Sequence, residues 1–337
     1  MKKLRIGIAG LGRLGKVHAT NIATKIPNAE LVAACSIVAD ELEWAKKELS
    51  IENVYDDYNE MINSPDIDAV AIVTSSGEHC WQIEAALDAG KHVFTEKPLG
   101  IDVEQCMIAE AAVARNPELT FMLGFMRRYD KSYAYAKEKI ESGLIGKPYM
   151  VKATGIDPEA LVDGAISFAA TSGGIFLDMA SHDLDLMRWF LGSEATEVYA
   201  LGCTFQHPEF KELGDDETAA AIYRFENGAI GMLHVGRTAP YGYHIETEIV
   251  GTKGTLRISP VPEKNLTRIY GQDGVLTECV GSFPERFEEA YLLEMEEFVN
   301  CALQGKQPNV GVNDGTRATV LAYATTEAWK TGKAVKI

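Results

Sequence analysis

The sequence contains no long apolar run, and this absence argues against a membrane-spanning helix. A span needs about 18 or more consecutive apolar residues, whereas charges and glycines interrupt every apolar stretch of these 337 residues. The start, Met-Lys-Lys, carries charge like a signal peptide, but the apolar part that follows is short and belongs to the first predicted strand. We therefore expect a cytoplasmic protein with no membrane partner.

The chain is also poor in positive charge. Its 32 Lys and Arg residues face 49 Asp and Glu residues, which gives a net charge of −17. No basic run offsets the resulting repulsion from phosphates, so we expect no nucleic-acid partner. The length and the 46% hydrophobic content are sufficient for two domains and a large core.

The six cysteines form no Cys-x-x-Cys pair, and no other short metal-ligand motif is present. We expect reduced thiols that pack as small apolar groups and no bound metal. A zinc site built from His79, Asp178 and His182 is conceivable, but no motif supports it.

A glycine-rich segment stands between a short apolar stretch at residues 4–9 and an apolar-periodic stretch at residues 16–26. The pattern Gly-x-Gly-x-x-Gly between strand and helix predicts dinucleotide binding, with the pyrophosphate at the helix N-terminus. The alternative is a glycine-rich turn without a ligand. The predicted contacts are Gly10, Leu11, Gly12, Arg13, Leu14 and Gly15.

The end of the second predicted strand, residues 30–36, is less clear. NAD proteins of this type carry an Asp or Glu there for the ribose 2′-hydroxyl, whereas this chain has Ser36 followed by Ile37 and Val38. Because no Arg or Lys follows to neutralise a 2′-phosphate, we favour NAD, and NADP stays open.

Strands and helices alternate as far as residue 123, which predicts a doubly wound parallel sheet. Turn signals at Asn227-Gly228, Asp273-Gly274 and residues 251–254 then indicate a large, open, mainly antiparallel sheet with helices. The predicted fold class is α/β, with a Rossmann domain at residues 1–123 and an α+β domain for substrate binding and assembly at residues 124–337. The predicted strands of the first domain lie near residues 4–9, 30–36, 68–73, 92–95 and 120–123.

Polar residues follow two of the predicted parallel strands, at the sheet edge where such folds bind ligands. Thr74, Ser75 and Ser76 would lie over the cofactor, and His79 either caps the next helix or reaches the nicotinamide ribose. Glu96 and Lys97 end the other strand, before a proline whose peptide bond could be cis. Lys97 could stabilise a developing alkoxide; the alternative is a solvated Glu-Lys pair.

Residues 173–182 place Asp178 and His182 four positions apart, on one face if the segment is helical. A carboxylate beside an imidazole suits a dehydrogenase, which removes a proton from an alcohol. A surface pair is the common alternative for such spacing. The following residues predict a helix that stops at Gly192.

Together these motifs resemble the glucose-fructose oxidoreductase/inositol dehydrogenase (Gfo/Idh/MocA) family nearly end to end. Three segments are similar to its inositol dehydrogenase branch: Gly124-Phe-Met-Arg-Arg-Tyr-Asp130, Tyr241-Gly-Tyr243 before residues 246–251, and Glu285-Arg-Phe-x-x-Ala-Tyr-x-x-Glu294. The resemblance implies that Arg127 contacts a polyol, that Tyr243 borders the same site, and that the protein is a homo-oligomer, most simply a tetramer. Asp157 stands where better-known inositol dehydrogenases have a histidine.

The predicted activity is the NAD-dependent oxidation of a cyclic polyol, myo- or scyllo-inositol, to a ketone. His182 would act as general base, Asp178 would orient it, and Lys97 would support the alkoxide. Two alternatives stay open: a sugar dehydrogenase with the same residues, and a nucleotide-sensing regulator without catalysis.

Overall fold

A computed structural model describes residues 3–259 and 262–337. The chain divides into two compact units. The first unit comprises Met1–Tyr129 with Glu289–Thr319, and the second comprises Asp130–Glu288 with Val320–Ile337. Residues 289–319 thus belong with the N-terminal segment, although they lie far along the chain.

The first unit contains a six-stranded sheet in which every neighbouring pair is parallel. The order β3-β2-β1-β4-β5-β6 is that of a dinucleotide-binding fold, and the strand order reverses between β1 and β4. This confirms the predicted Rossmann architecture. The strands are β1 Leu4–Ala9, β2 Ala29–Cys35, β3 Asn53–Tyr55, β4 Ala69–Ile72, β5 His92–Glu96 and β6 Phe121–Gly124.

The second unit contains a seven-stranded sheet in the order β12-β11-β7-β10-β9-β8-β15. Among the described residues, β7 and β10 are its one parallel pair, so the sheet is mainly antiparallel as predicted. A separate hairpin joins β13 and β14. The strands are β7 Pro148–Pro158, β8 Ala195–Cys203, β9 Thr218–Phe225, β10 Ile230–Ala239, β11 His244–Gly251, β12 Thr255–Ile258, β13 Glu263–Gly271, β14 Gly274–Cys279 and β15 Val335–Lys336.

Helices connect the strands in both units, and short 3₁₀ turns occupy Ser76–Glu78, Met126–Tyr129 and Glu159–Leu161. None of the helices in the described part of the chain is long and apolar enough to cross a membrane. The helices are α1 Arg13–Thr24, α2 Ala39–Leu49, α3 Tyr58–Ile62, α4 His79–Asp88, α5 Val103–Arg115, α6 Lys131–Glu141, α7 Val162–Ala169, α8 Ile175–Asp178, α9 Ser181–Leu191, α10 Glu209–Glu212, α11 Phe283–Arg286, α12 Glu288–Gln304 and α13 Val312–Thr331.

The parallel sheet is covered on both faces, as its apolar strands require. Successive residues of β4 enter different apolar clusters: Val70 and Ile72 pack with residues of α4 and α5, while Ala69 and Ala71 pack with residues of α1 and α12. All four side chains are fully buried. The core of this unit therefore consists of two apolar layers, one on each face of the parallel sheet.

The predicted turns of the second unit are present. Asn227-Gly228 lies between β9 and β10, Asp273-Gly274 lies between β13 and β14, and residues 251–254 connect β11 to β12. One strand of the first unit was not predicted: β3 is three residues long and flanked by acidic residues, so it has no apolar run to mark it.

One face of the seven-stranded sheet is exposed and partly apolar. Along β10, Leu233 and Val235 are buried, whereas Ile230 and Met232 point to the other side and are 45% and 36% exposed. The strand register places Met232 beside Ile222, and Ile222 beside Tyr199. We call this the outer face; its large apolar members are Tyr199, Leu201, Ile222, Ile230 and Met232.

Candidate active site

The glycine loop between β1 and α1 has the geometry that dinucleotide binding needs. Gly10 has a φ of +87°, and a Cβ there would lie 2.4 Å from the Val73 carbonyl oxygen. A Cβ on Gly15 would lie 2.1 Å from the Gly10 carbonyl oxygen, so a glycine is needed for the helix to approach the turn. At Gly12, by contrast, a Cβ would meet no atom of the described residues within 4 Å, which leaves the loop open to a ligand.

The N-terminus of α1 is available to an anion. Gly12 is its N-cap residue, no side chain caps the helix, and its first turn contains no acidic residue. Unpaired backbone N–H groups and the helix dipole both favour a phosphate at such an end. Of the other predicted contacts here, Leu11 is buried, Leu14 is half-buried and Arg13 is exposed.

Ser36 follows β2 directly and interacts with a carboxylate that the sequence reasoning missed. The Ser36 hydroxyl donates to Glu41 Oε2 at 2.5 Å and accepts from the Val38 N–H at 3.1 Å. Glu41 lies in the first turn of α2. The chain thus supplies an acidic side chain next to position 36, although it comes from later in the chain than the strand end where NAD proteins usually carry it.

The segment after β4 is tied to the segment after β5 by a buried histidine. His79 Nδ1 lies 2.8 Å from the Pro98 carbonyl oxygen, and Nε2 lies 3.2 Å from the Thr74 carbonyl oxygen. Burial lowers the pKa of the His79 imidazole, so the neutral ring donates one of these hydrogen bonds. The Thr74 hydroxyl is held by Gln82 Oε1 at 2.6 Å.

His79 is the first residue of α4 rather than its cap, and Ser75 and Ser76 belong to the turn before it. The side chain of His79 is 1% exposed and its ring nitrogens face backbone oxygens. Its contribution within this unit is to hold the two strand ends together.

Lys97 follows β5, and the Lys97–Pro98 peptide bond is cis, as the sequence suggested. The Lys97 side chain is half-buried. The neighbouring Glu96 is 4% exposed; its Oε2 accepts from the Lys97 N–H at 3.1 Å and its Oε1 accepts from His18 Nε2 at 2.8 Å. The Glu96 carboxylate is therefore engaged inside the first unit. His18, on α1, is a second residue that sequence reasoning missed.

Arg127 lies in the 3₁₀ turn that follows β6. It is 3% exposed, which is unusual for a guanidinium. The neighbouring Arg128 pairs with Asp314 at 2.9 Å within the same unit.

In the second unit, Asp178 and His182 lie in successive short helices instead of one. Asp178 ends α8, two turn residues follow, and His182 is the second residue of α9, which ends before Gly192 as predicted. The His182 side chain is 6% exposed and the Asp178 side chain is 25% exposed. Met179 and Ala180 separate the two helices, so the condition that one continuous helix carries both residues is not met.

Asp178 faces a buried guanidinium that no sequence pattern singled out. Arg237, on β10, is 1% exposed; its Nη2 lies 3.2 Å from Asp215 Oδ2 and 3.7 Å from Asp178 Oδ2. Its guanidinium also stacks over the Phe210 ring, 4.9 Å from the centroid. We call Asp178, Asp215 and Arg237 the guanidinium cluster.

Asp215 contacts both the start of α8 and the Arg237 guanidinium. Its Oδ1 accepts from the Ile175 N–H at 3.1 Å, at the start of α8. Burial raises the pKa of the Asp215 carboxyl, and Arg237 opposes that shift. A fixed positive charge thus stands beside the short helix that carries Asp178.

Asp157 lies in β7, and Tyr243 directly precedes β11, whose first residue His244 pairs with Ile156 of β7. Asp157 is half-buried near the end of β7. Tyr243 is 4% exposed; its N–H donates to the Val280 carbonyl oxygen at 2.9 Å, and its ring meets Phe287 edge-on. These contacts fix the backbone of the Tyr-Gly-Tyr segment.

Comparison with known protein families accounts for most of both units. Residues 4–125 match the model described as an oxidoreductase family with an NAD-binding Rossmann fold, and residues 133–257 match the GFO/IDH/MocA C-terminal domain. The chain belongs to the GFO/IDH/MocA oxidoreductase family. It is an oxidoreductase whose first unit carries the NAD-binding fold, and the glycine loop and uncapped α1 described above fit that cofactor.

Relatives match over nearly the whole chain. A scyllo-inositol 2-dehydrogenase (NAD⁺) of Bacillus subtilis is 36% identical, covering 99% of this chain and 96% of the relative. A myo-inositol 2-dehydrogenase of Thermotoga maritima is also 36% identical, with 99% and 98% covered. The crystal structure of a scyllo-inositol dehydrogenase from Lactobacillus casei, with bound NAD(H) and scyllo-inositol, is 47% identical, with 99% of each chain covered and a TM-score of 0.97.

Proposed function

We propose that this protein uses NAD to oxidise a secondary hydroxyl group of inositol, the myo or the scyllo isomer, to a ketone. The observation that carries the proposal is the likeness, at 47% identity over 99% of both chains, to a dehydrogenase whose structure holds NAD(H) and scyllo-inositol. The motifs for cofactor and proton transfer that the chemistry requires are all present in this sequence.

The proposed catalytic residues are Lys97, Asp178 and His182. NAD, when bound, supplies the hydride acceptor. His182 removes the hydroxyl proton, Asp178 orients the imidazole and stabilises its charged form, and the Lys97 ammonium stabilises the alkoxide that develops. Arg237 keeps Asp178 in place through its charge at 3.7 Å.

Three further residues are proposed to bind the polyol: Arg127, Asp157 and Tyr243. A guanidinium, a carboxylate and a phenol offer donors and acceptors that match a ring of hydroxyl groups. A site built from such groups discriminates against analogues that lack a hydroxyl, because its polar groups would then be left unpaired.

The proposed cofactor contacts are those of the glycine loop and of the strand ends. We favour NAD over NADP because Glu41 adds a carboxylate 2.5 Å from the Ser36 hydroxyl, which would repel a 2′-phosphate. The proposed set is Gly10, Leu11, Gly12, Arg13, Leu14, Gly15, Ser36, Thr74, Ser75, Ser76, His79, Glu96 and Lys97, where Glu96 acts through Lys97.

We further propose that residues 1–123 bind the cofactor, that residues 124–337 bind the substrate and mediate assembly, and that the protein is a cytoplasmic homotetramer. The outer face supports assembly, since exposed apolar patches commonly mark interfaces. The six cysteines are free thiols, which is typical of a reducing compartment.

The test is NADH formation, followed by absorbance, with purified protein, NAD and a panel of substrates. The panel contains myo-, scyllo- and D-chiro-inositol together with glucose, galactose and xylose. We expect the highest kcat/KM for an inositol. A higher kcat/KM for an aldose would replace the proposal with a sugar dehydrogenase, and binding of NADH without turnover of any substrate would favour a nucleotide-sensing protein.

A further inference from the structure

Three ionisable side chains from separate elements of the first unit meet in its interior. His18 on α1 and Glu294 on α12 are 0% exposed, and Glu96 on β5 is 4% exposed. His18 Nε2 lies 2.8 Å from Glu96 Oε1 and 4.0 Å from Glu294 Oε1. We call these three residues the acid cluster.

Glu294 is unusual because it is a buried carboxyl group without a hydrogen-bond donor. Within the described residues, neither of its carboxyl oxygens has a hydrogen-bond partner, and neither does His18 Nδ1. Burial raises the pKa of the Glu294 carboxyl well above its ordinary range, and the negative charge of Glu96 raises it further. A carboxyl group with this surrounding is stable only when it carries its proton.

The surroundings of the cluster are aromatic rather than ionic. The His18 ring packs against Phe94 at 5.2 Å and edge-on against Tyr291 at 5.6 Å between centroids. Burial also raises the pKa of the Tyr129 phenol. Neither of these described ring contacts supplies a cation to Glu294.

A bound metal ion would also employ a histidine and two carboxylates, but the contacts favour a proton. The separation of 2.8 Å between His18 and Glu96 is that of a hydrogen bond. The second oxygen of Glu96 already accepts from the Lys97 N–H. An ion bound by His18 Nε2 would have to replace this hydrogen bond.

The cluster joins two parts of the proposed active site. His18 follows the last glycine of the loop by three positions on α1, and Glu96 adjoins Lys97. We propose that His18 is a positioning residue that fixes Glu96, and through it the backbone of Lys97, and that the neighbouring Glu294 carboxyl holds one proton. The catalytic part of this inference rests on the proposed function; the protonation part does not.

The protonation part predicts how stability depends on pH. Because the pKa of Glu294 is higher in the folded than in the unfolded state, the folded state binds more protons, and stability falls as pH rises above the ordinary carboxyl pKa. Glu294→Gln keeps the shape and removes this titration.

The first experiment is therefore thermal unfolding of wild type, Glu294→Gln and Glu296→Gln from about pH 5 to about pH 8. Glu296 lies on the same helix outside the cluster and provides the charge-matched control. We expect the Tm of Glu294→Gln to rise relative to wild type by about 5 °C or more across this range, and the control difference to stay constant. A constant difference for Glu294→Gln would overturn the assigned proton.

Thermal unfolding with added Zn²⁺ or Mn²⁺ tests whether the acid cluster binds a metal ion instead of a proton. We expect the same Tm shift, within error, for wild type and Glu294→Gln when either ion is added. A rise in Tm of wild type alone would overturn the proton-sharing cluster and establish a metal site in its place.

The second experiment tests positioning with two substitutions of His18. His18→Phe keeps the ring packing but donates nothing to Glu96, whereas His18→Gln retains a side-chain N–H. With an inositol substrate we expect His18→Phe to lower kcat by about tenfold or more, with the KM and the NADH Kd changed by less than about threefold, and His18→Gln to recover most of the loss.

A merely structural role would give a different pattern. Equal losses of kcat in both variants, in proportion to their losses in Tm, would overturn the positioning role. If wild type oxidises no inositol, the proposed function fails, while NADH titration and the pH-dependent Tm still decide the protonation of Glu294.

Discussion

Each unit contains a largely buried cluster of charged side chains, and these two clusters differ in their balance of charge. In the acid cluster two carboxyl groups share one imidazole, and Glu294 receives no hydrogen bond from the described part of the chain. In the guanidinium cluster Arg237 lies within 3.7 Å of both carboxylates. The acid cluster has fewer hydrogen-bond donors than its carboxyl oxygens could accept from. In the guanidinium cluster, by contrast, Arg237 Nη2 lies near oxygens of two carboxylates.

The two clusters differ in whether their ionisable groups can become neutral. A carboxyl group can be neutralised by a proton when burial disfavours its ionised form, whereas a guanidinium stays charged at any ordinary pH. The acid cluster is therefore expected to respond to pH, and the guanidinium cluster to supply a permanent charge near Asp178. Removing a residue from each cluster should have opposite effects.

The largest expected effect comes from two proposed catalytic residues, Lys97 and His182. Lys97→Ala and His182→Ala should each lower inositol turnover by about 10²-fold or more, because the first removes the ammonium group that stabilises the alkoxide and the second removes the general base. NADH titration should give a Kd close to that of wild type. Turnover within tenfold of wild type in either variant would contradict that residue's role.

Removal of the guanidinium should have the largest effect on stability. Arg237→Met leaves Asp215, which is 5% exposed, without its cation, and we expect a loss of about 3–5 kcal/mol in the free energy of unfolding. Urea denaturation measures it. Arg224→Met is the control, since its side chain is 73% exposed in a surface pair with Glu197; it should change stability by less than about 0.5 kcal/mol.

Glu294→Leu, the corresponding substitution in the acid cluster, should not lower the free energy of unfolding. Glu294→Leu replaces an unpartnered buried carboxyl with an apolar group, which is neutral or stabilising at about pH 8. Urea denaturation of this variant beside Arg237→Met completes the comparison. A loss as large as that of Arg237→Met would mean that Glu294 has a stabilising partner and that the two clusters are alike.

A smaller effect is expected at Glu41, where a carboxylate is only half-buried and has a hydroxyl partner. Glu41→Gln should raise kcat/KM for NADP relative to NAD by about tenfold, because the charge that repels a 2′-phosphate is lost. Steady-state kinetics with both cofactors measure the ratio, with Glu43→Gln on the same helix as control. An unchanged ratio would remove Glu41 from cofactor selection.

The last expected effect is on assembly rather than on rate. Met232→Glu places a carboxylate in the apolar outer face and should shift the protein from the proposed tetramer towards smaller species, since burying an unpaired charge is costly. Light scattering after size exclusion measures the mass. A wild-type mass near the 36.8 kDa of one chain, independent of dilution, would show that the outer face is not an interface.

The features that could be predicted depend on residues close together in the chain. The glycine loop, the turn at Asn227-Gly228 and the end of α9 at Gly192 each follow from local backbone requirements. By contrast, Glu294 meets His18 across most of the chain length, and no local pattern marks that contact.

Arg237 and Glu41 were missed for related reasons. Arg237 stands in a strand where alternation predicts only which face is buried, so its partner Asp215 on another segment cannot be read from spacing. Glu41 was missed because the expected acidic residue was sought at the strand end, at position 36. The break at Met179 and Ala180 escaped prediction because both residues are compatible with a continuous helix.

The most direct test of inositol oxidation is the transfer of deuterium from the substrate carbon. Wild-type protein is incubated with NAD and with myo- or scyllo-inositol that carries deuterium on the ring carbons, and the reduced cofactor is analysed by mass spectrometry. We expect NADH that contains one deuterium and a slower turnover than with unlabelled inositol. Reduced cofactor without deuterium, or no reduced cofactor with any inositol, would contradict the proposed hydride transfer.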